Sequence, residues 1–596
     1  MHRAALRALR TTSSTRLSAA RQLSRSSPSA PSRRSSRPVP TFITNDLLAK
    51  QQLRQRPSAH ETLRSSMFFR RLPFALVSGL IVGYGAWYSL NPSSAPGGPA
   101  GSRSFTSTQG GSYATPTRTV LVVGADELRQ GTIVGEGPIS KPTGDDGRRI
   151  VEMLTPDQAT HKLRRLEQSF SVKRGEGVIR YDLAQLPSND PIEDDHAEKI
   201  VEVPSRAAGP DETSDWMFWG VFDGHSGWTT SATLRESLIS YVARELNDTY
   251  KAAKSTAPDP KAIDLAIKTG FNRLDHEIVY RSVEKVFKAS SKAVAAELLQ
   301  PALSGSCALL SFYDSKSKLL RVACTGDSRA VLGRRSVSGK WMATALSEDQ
   351  TGSNPREVAR MRKEHPGEDN VIRHGRVLGG LEPSRAFGDA VYKWSREVAG
   401  KLRQSFFGRN PSPLLKTPPY VTAEPIITTT KVEPDKGDFL VLATDGLWEM
   451  LTNEEVVGLV GQWIETQAAG PSQLDSAWSK IFGSHGKPLP VEHTRDDGPG
   501  GQKTPIRLQQ WGIDPEAKDR FTVKDKNVAT HLVRNALGGT NDEQVCALLT
   551  LPAPFSRRYR DDLTVQVIFF GNGEQTGEVT LNLEATAEQD APKAKL

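Results

Sequence analysis

Short apolar runs bounded by polar residues dominate the chain from about residue 150 onward. Five runs have the length and the β-branched or aromatic content of strands, namely WMFWGVFDGH, LLRVACTGDSRAVLG, DFLVLATDGLW, RDDLTVQVIFF and YVTAEPIITTTKV. Segments with apolar residues at helical spacing lie between them, at 228–250, 263–286, 355–364 and 454–465. The pattern therefore predicts a domain that mixes strands and helices.

Two of the predicted helices carry start signals. Asn354 is followed by Pro355 and Glu357, and Thr452 forms a capping box with Glu455. The strands do not alternate regularly with helices, which disfavours a doubly wound parallel sheet, and we find no internal repeat. We predict an α+β fold with antiparallel sheets and helices packed outside them.

The first 66 residues have a different composition. Nine arginines and many serines occur in the first 38 residues, and no acidic residue precedes Asp46. Arg3, Arg7 and Arg10 recur at helical spacing. This composition is typical of a mitochondrial transit peptide, and a disordered basic tail is the alternative. We predict that residues 1–66 direct the chain to the mitochondrion.

An uncharged apolar segment follows at 72–90. Its apolar core, 74–90, has 17 residues, which is at the short limit of the about 17–25 residues that span a membrane. Arg70 and Arg71 precede it, and we predict a single span in the inner membrane. A buried helix and a cleaved sorting signal are the alternatives. Arginines in the matrix would place the rest of the chain in the intermembrane space, so the side that the globular part faces stays open.

The remaining segments differ in amino-acid composition. Residues 91–149 begin with many prolines, glycines and serines and are predicted to form a flexible linker. Residues 150–572 form the predicted globular domain, with an insertion loop of low order at 467–508. Residues 573–596 are predicted to form a polar tail.

The net charge of +9 is concentrated at the N-terminus. Residues 1–71 contain 14 arginines and one lysine against Asp46 and Glu61, so the rest of the chain has a net charge of −4. This balance does not indicate a nucleic-acid-binding surface. The three cysteines, Cys307, Cys324 and Cys546, suit neither a disulfide framework nor a zinc site, and we expect ordinary buried thiols.

Four of the apolar runs have an aspartate at their edge. Asp223 and Asp445 end their runs, Asp327 lies in a turn, and Asp561 opens its run. Taken singly, each has an ordinary interpretation: DG at Asp223 and Asp445 is typical of a turn, GDSR around Asp327 of a hairpin turn, and Asp561 with Asp562 of a solvated strand start. Together they can converge on one pocket, and carboxylate oxygens without a His/Cys cluster suit Mg²⁺ or Mn²⁺ rather than zinc. Two such ions about 3.5–4 Å apart share a bridging water, lower its pKa and neutralise the charge of a phosphate ester.

The flanking residues resemble the metal-dependent protein phosphatase family of type 2C. PIEDD, VFDGHSG, GSCALLSFYD, ACTGDSRAVLG, SRAFGD, LATDGLWEML and RDDLTVQVIFF occur in that family's order over roughly residues 170–570. LSEDQTGSNPREVARMRKEHP, VIRHGRVLGGLEPSRAFGD and TPPYVTAEP resemble the branch of mitochondrial pyruvate dehydrogenase phosphatase catalytic subunits. The resemblance implies a four-layer α-β-β-α sandwich, two antiparallel sheets with a dinuclear metal site at one end. It also implies two Mg²⁺ or Mn²⁺ ions and a phosphoserine or phosphothreonine protein as substrate.

The resemblance also assigns metal ligands. Asp223 matches the carboxylate that bridges both ions. Asp445 and Asp561 match ligands of one ion, and Glu193 with the Gly224 carbonyl matches the ligands of the other.

Further roles follow from the same resemblance. Asp194 matches a carboxylate that orients metal-bound water, and Asp327 matches a ligand of a third, weaker metal. His225 matches the candidate general acid that protonates the leaving Ser/Thr oxygen, a role that suits a histidine near its ordinary pKa. A packing residue at a helix start is the alternative for His225.

The chain departs from the general family at two positions. An arginine that grips the substrate phosphate is expected four residues before Glu193, and Asn189 stands there. The pyruvate dehydrogenase phosphatase branch looks similar at that position, so the phosphate clamp is unassigned. An aspartate common four residues after Asp445 is replaced by Glu449, which alters the third metal site.

Three other interpretations remain open. A pseudophosphatase would keep the fold as a binding module but usually lacks metal carboxylates, none of which is missing here. A metal-dependent nuclease would be expected to have a basic groove or a stacking platform. As for the substrate, the branch and the transit peptide indicate the pyruvate dehydrogenase α subunit. A domain in the intermembrane space would instead act on other phosphoproteins.

Overall fold

The computed structural model describes residues 117–588 apart from 125–127, 136–138, 140–142, 144–146, 205–212, 254–257, 407, 470–487 and 493–519. Most strands are antiparallel neighbours in two sheets. In chain order they are β1 Thr117–Val123, β2 Leu128–Val134, β3 Arg149–Glu152, β4 Gln168–Arg174, β5 Val178–Leu186, β6 Asp195–Pro204, β7 Thr213–Phe222, β8 Gly224–His225, β9 Gly305–Ser306, β10 Ala308–Asp314, β11 Leu319–Thr325, β12 Arg329–Arg335, β13 Trp341–Ala345, β14 Ile372–Arg373, β15 Arg376–Val377, β16 Phe387–Gly388, β17 Ile426–Lys431, β18 Phe439–Ala443, β19 Leu563–Phe570 and β20 Gln575–Leu581.

The helices flank these strands. In chain order they are α1 Pro156–Arg164, α2 Thr229–Ala252, α3 Pro260–His276, α4 Ser282–Ala289, α5 Lys292–Leu298, α6 Gln300–Leu303, α7 Pro355–Glu364, α8 Arg396–Ser405, α9 Asp445–Trp448, α10 Asn453–Ala469, α11 Val528–Ala536 and α12 Asp542–Thr550. A π-helical turn, Glu277–Arg281, joins α3 to α4, and short 3-10 turns lie at Ala390–Tyr392, Pro434–Lys436, Ser556–Arg558 and Leu583–Ala585.

Two large sheets form the centre of the domain. One has the order β13-β12-β18-β19-β5-β4-β20 and the other β17-β11-β10-β7-β6, and their pairings are antiparallel. One apolar core lies between the sheets. A second core joins the seven-stranded sheet to α1, α10, α11 and α12, and a third joins the five-stranded sheet to α2 and α3. The predicted α+β fold, a four-layer α-β-β-α sandwich, is confirmed.

Strand β7 shows why the apolar runs are continuous. Trp216, Phe218 and Phe222 face the helices, whereas Met217 and Trp219 face the opposite sheet. A central strand is covered on both faces, so neither of its alternating sets of side chains can be polar. The run therefore ends only where the strand leaves the sandwich, and the polar residues stand at that rim.

The predicted helices are found, with one change. Helix α7 has the predicted bounds, because the Asn354 side chain accepts a hydrogen bond from Arg356 N and caps its start. The capping box of α10 is present, with hydrogen bonds of 2.8 and 3.1 Å between Thr452 and Glu455. The segment 263–286, predicted as one helix, is α3, the π turn and most of α4.

Two segment predictions are wrong in part. Residues 117–134, assigned to the flexible linker, contain β1 and β2, and the buried Leu121 and Val123 of β1 join an apolar core. The tail predicted from residue 573 contains β20, which pairs with β4 at the edge of the large sheet. An edge strand has little area to bury, so its polar sequence resembles a tail.

The N-terminal predictions lie outside the described residues. These are the transit peptide 1–66, the span 72–90 and the first part of the linker, together with most of the insertion loop 467–508. Among the described helices, none is both long enough and apolar enough to cross a membrane.

Candidate active site

The strand register brings the predicted site residues to one end of the sandwich. Asp195 pairs with Phe222, so β6 begins where β7 ends. Ala443 pairs with Val565, so β18 ends where β19 begins, and β5 also ends beside the start of β19. The segments that follow or precede these strand ends carry Glu193, Asp194, Asp223, Asp445 and Asp561, whereas Asp327 comes from the connection between β11 and β12.

Three of the predicted aspartates form one cluster. Carboxylate oxygens of Asp223, Asp327 and Asp445 lie within 4.8 Å of one another. Burial and the neighbouring Asp327 raise the pKa of Asp445 to about 8, and burial together with Asp445 raises the pKa of Asp223 well above its ordinary value. The buried Asp445 Oδ1 has no hydrogen-bond partner among the described residues. Buried carboxylates at this spacing repel one another, and a divalent cation would remove the repulsion.

The other predicted carboxylates adjoin this cluster. Burial and Asp445 raise the pKa of Asp561 to about 7. Asp194 is buried and accepts a hydrogen bond of 2.9 Å from Thr444 Oγ1, next to Asp445 in the chain. Burial and nearby carboxylates raise the pKa of Asp194 well above its ordinary value, and burial raises that of the half-buried Glu193. The predicted set is thus brought together, and its donors are oxygens suited to Mg²⁺ or Mn²⁺.

Gly224 sits where the chain passes close to itself. A Cβ at this position would lie 2.0 Å from the Glu193 carbonyl oxygen, so no other residue fits. Gly224 belongs to the short strand β8 and pairs with Ser306 of β9. The close approach holds the Glu193 segment against the end of β7, which brings Glu193 to the same rim as Asp223.

Asp327 lies in a turn that links the two large sheets. Its turn connects β11 to β12, which belong to different sheets, so the GDSR segment is a crossover rather than a hairpin turn. The Cys307 thiol donates to Asp327 Oδ1 at 3.1 Å. The three cysteines are free and buried, as predicted, but Cys307 also contacts the carboxylate cluster.

His225 contacts an aspartate that the sequence analysis did not single out. Nε2 of His225 lies 2.6 Å from Oδ2 of Asp389, which is 164 residues later in the chain. Burial lowers the pKa of His225, but the Asp389 carboxylate outweighs it and raises the pKa above its ordinary value. The SRAFGD motif ends in Asp389, so the motif held a signal, but its partner depended on the fold.

Asp562 is a second residue that sequence reasoning missed. Its buried carboxylate accepts hydrogen bonds from the backbone N–H groups of Ser188, Asn189 and Glu193 at 2.5, 2.9 and 2.8 Å, and from Asn189 Nδ2 at 3.2 Å. Asp562 therefore fixes the segment that carries Glu193 and Asp194. Asn189 donates to this carboxylate, whereas the arginine expected at its position would grip the substrate phosphate.

Arg557 is the third missed residue. Its guanidinium pairs with the Asp561 carboxylate, and its side chain is 46% exposed. Burial lowers the pKa of Arg557, but Asp561, Asp445 and Asp223 outweigh it and raise the pKa. A cation beside the carboxylate cluster and open to solvent is positioned to meet an incoming anion. The i, i+4 spacing to Asp561 was the available signal.

Comparison with known proteins agrees with this geometry. The family model described as protein phosphatase 2C matches residues 190–479. A protein phosphatase 2C homolog of Schizosaccharomyces pombe is 46% identical over 417 residues, covering 70% of this chain and 85% of that protein. The mitochondrial [pyruvate dehydrogenase [acetyl-transferring]]-phosphatase 1 of Saccharomyces cerevisiae is 44% identical over 469 residues, covering 75% of this chain and 78% of that protein.

A solved structure is also similar. The crystal structure of a phosphatase from a pathogenic strain of Toxoplasma gondii is 16% identical, covers 70% of this chain and 98% of that chain, and has a TM-score of 0.38. The identities to the two yeast proteins, over more than three quarters of each, are those of members of one family. The chain belongs to the protein phosphatase 2C family of metal-dependent serine/threonine phosphatases.

Proposed function

We propose that this phosphatase acts in the mitochondrion on the phosphorylated α subunit of pyruvate dehydrogenase. The observation that carries the proposal is the 44% identity to the S. cerevisiae pyruvate dehydrogenase phosphatase over 78% of that protein. The arginine-rich, acid-free N-terminus supports the location. We further propose that the apolar segment 72–90 anchors the protein to the mitochondrial inner membrane.

The metal centre of the proposal uses the rim carboxylates. Asp223 would serve both of two Mg²⁺ or Mn²⁺ ions, Asp445 and Asp561 would hold one, and Glu193 with the Gly224 carbonyl would hold the other. The approach of Asp223 and Asp445 within 4.8 Å, and the Asp445 oxygen without a hydrogen-bond partner among the described residues, support a shared ion for these two aspartates. When bound, the ions activate the attacking water and neutralise the phosphate charge. Asp327 is the proposed ligand of a third, weaker ion.

Protons are handled by two residues with fixed partners. Asp194, held by the Thr444 hydroxyl, orients the attacking water. His225, held by Asp389, donates a proton to the leaving serine or threonine oxygen. The leaving alkoxide has a much higher pKa than imidazolium, so proton donation as the bond breaks lowers the barrier.

Arg557 is our candidate for holding the substrate phosphate. Asn189 is bound to Asp562 and has no charge to offer, whereas Arg557 is half exposed beside Asp561. A guanidinium can donate two parallel hydrogen bonds to phosphate oxygens. Arg557 would share its guanidinium N–H groups between Asp561 and the phosphate.

Dephosphorylation of intact complexes tests this function. Phosphorylated pyruvate dehydrogenase complex and an unrelated phosphoprotein of the same phosphoserine content are compared at equal concentration with Mn²⁺. We expect a clear preference for the complex and loss of both activities in Asp445→Asn. Equal rates on both proteins would overturn the substrate assignment, and equal background rates for the wild type and Asp445→Asn would indicate a pseudophosphatase.

Protease protection tests the location. In intact mitoplasts, a domain in the matrix resists added protease until the inner membrane is ruptured. Digestion before rupture would rule out a matrix substrate and would favour other phosphoproteins of the intermembrane space.

A further inference from the structure

A cavity of about 820 Å³ adjoins the metal centre on the side of Asn189. Its walls come from the segment after β5, the 3-10 turn before β19 and the end of α1. Glu193, a proposed metal ligand, lines one side, and Trp228, 40% exposed, lies on the same side. The cavity is in the size range of sites that take small ligands or side chains, about 300–1,000 Å³. None of the roles proposed above uses it.

Three cationic side chains line this cavity, which we call the flanking pocket. They are Lys162, Arg165 and Arg560. Arg560 is only 1% exposed, and its Nη2 donates to the Pro187 carbonyl at 2.8 Å. Its Nη1 is buried and has no partner among the described residues. Because so little of Arg560 is exposed, its guanidinium adds positive charge to the wall of the pocket rather than a donor that a ligand can reach.

Lys162 is partly exposed and supplies a donor to the pocket. Its ammonium group donates to the Leu549 carbonyl at 2.6 Å, which leaves further N–H groups available. Burial and the positive charges of Arg560 and Arg165 lower the pKa of Lys162 to about 8. The cations therefore repel one another. An anion in the pocket would relieve this repulsion and could accept a hydrogen bond from Lys162.

Acidic residues only partly offset these charges. Asp190 and Glu193 line the pocket, and the negative charges of Asp562 and Asp561 act on Arg560, although neither aspartate lines the pocket. Asp562 has four hydrogen-bond donors of its own from the Asn189 segment, and Glu193 is assigned to a metal. The positive charge of the pocket is therefore not fully neutralised by the residues that line it.

We propose that the flanking pocket binds an anionic side chain of the phosphoprotein substrate, a carboxylate or a second phosphate, located near the phosphorylated residue in sequence. Glu193 links the pocket to the metal centre, so a chain with its phosphate at the metals can place a neighbouring side chain in the pocket. The chemistry is shared by free anions such as inorganic phosphate, and the experiment separates the two sources.

Peptide pairs test the proposal. A neutral phosphoserine peptide is compared with peptides in which one glutamate is placed in turn at each of the four positions on either side. For the wild type we expect one position to raise kcat/KM by about tenfold, the size of one charge-assisted contact. In Lys162→Met/Arg165→Met, we expect that preference to fall to less than about twofold. Using the ratio of two peptides cancels any general loss of activity, and Arg560 is left intact to protect the fold.

The control removes two charges elsewhere. Lys285 and Lys288 are exposed on α4, and Lys285→Met/Lys288→Met is expected to keep the full preference. A glutamate preference that is absent from the wild type, or that persists in Lys162→Met/Arg165→Met, would overturn the proposal. Inorganic phosphate is then added at increasing concentration. Stronger inhibition of the glutamate peptide than of the neutral peptide supports a substrate site. Without a glutamate preference, phosphate could instead affect both peptides equally, and this effect could be lost in Lys162→Met/Arg165→Met. That result would assign the pocket to a free anion and overturn the substrate proposal.

Discussion

His225 and Asp389 form an ion pair beside Gly305, whose lack of a side chain leaves room for it. His225 Nε2 lies 2.6 Å from Asp389 Oδ2, and Gly305 of β9 pairs with both His225 of β8 and Gly388 of β16. A Cβ on Gly305 would lie 2.2 Å from His225 Nε2 and 2.3 Å from Asp389 Oδ2. The ion pair therefore depends on three short strands that meet at one glycine.

Asp389→Asn should shift the pH dependence of the reaction. A general acid must be protonated, so kcat falls as the pH rises through its pKa. Asp389 raises the pKa of His225, and its loss should move the alkaline limb of kcat to lower pH by about one unit. Profiles of kcat against pH on a phosphoserine peptide measure this. The shift should be smaller with p-nitrophenyl phosphate, whose leaving group needs little protonation, and superimposable peptide profiles would contradict the assignment.

Gly305→Ala should impair catalysis without removing a charge. The added methyl group must displace His225 or Asp389, and a misplaced proton donor should lower kcat about tenfold to hundredfold on a phosphopeptide. Gly400→Ala is the matched control, because Gly400 lies in α8 and a Cβ there meets nothing within 4 Å. That control should retain its rate and gain about 1 kcal/mol of helix stability. Equal kcat values for the two variants would argue against the Gly305 contact.

Asp562→Asn should weaken metal binding from outside the cluster. An amide offers one acceptor oxygen, and its NH₂ group would face N–H donors of the Asn189 segment. We expect the Mn²⁺ concentration for half-maximal activity to rise about tenfold to hundredfold, and the free energy of unfolding to fall by about 2–4 kcal/mol. Mn²⁺ titration and urea denaturation measure the two effects. Asn189→Ala removes only the 3.2 Å hydrogen bond and should cost less than about 1.5 kcal/mol.

Arg557→Ala should weaken substrate binding more than turnover. Loss of a charge-assisted contact to phosphate should raise KM for a phosphopeptide, and the inhibition constant of inorganic phosphate, by about tenfold. Arg557→Lys should restore part of the affinity because it keeps the charge but not the fork geometry. Arg558→Ala is the control, since Arg558 is exposed and its guanidinium lies over Phe555. An unchanged phosphate inhibition constant in Arg557→Ala would leave the clamp to another residue.

His531 should make the fold sensitive to acid. Its Nε2 donates to the Leu459 carbonyl at 3.1 Å and its Nδ1 accepts from Asn535 at 3.2 Å. Burial lowers its pKa from 6.5 to about 4, so the unfolded chain binds a proton first and stability is lost as the pH falls below about 6.5. Between pH 7 and pH 5 this group should cost about 2 kcal/mol. Urea denaturation at both pH values should show a smaller difference for His531→Gln, whereas His161→Gln on the exposed surface should behave as the wild type.

Local signals in the sequence were reliable where the structure is local. Helix α7 begins and ends as predicted because Asn354 and Pro355 act within one turn. The same periodicity predicts 263–286 as one helix and does not reveal the π turn, since that turn widens a continuous helix by only about one residue. Strand β20 resembles a tail because its partner β4 lies about 400 residues earlier in the chain. Strands β1 and β2 pair locally, but the residues that precede them, from 91 onward, are rich in proline, glycine and serine and extend the predicted linker over them.

By itself, the sequence determined the chemical groups of the site: carboxylates at the ends of apolar strands, in an order that identifies the family. This was possible because a strand buried on both faces must be apolar throughout, so its first polar residue marks the rim. Only the tertiary structure decided which groups cooperate. Asp389 reaches His225 across 164 residues, and Asp562 holds the Asn189 segment across more than 360. Such pairings depend on sheet register and on which loops share an end of the sandwich, and neither is encoded in the spacing of residues along the chain.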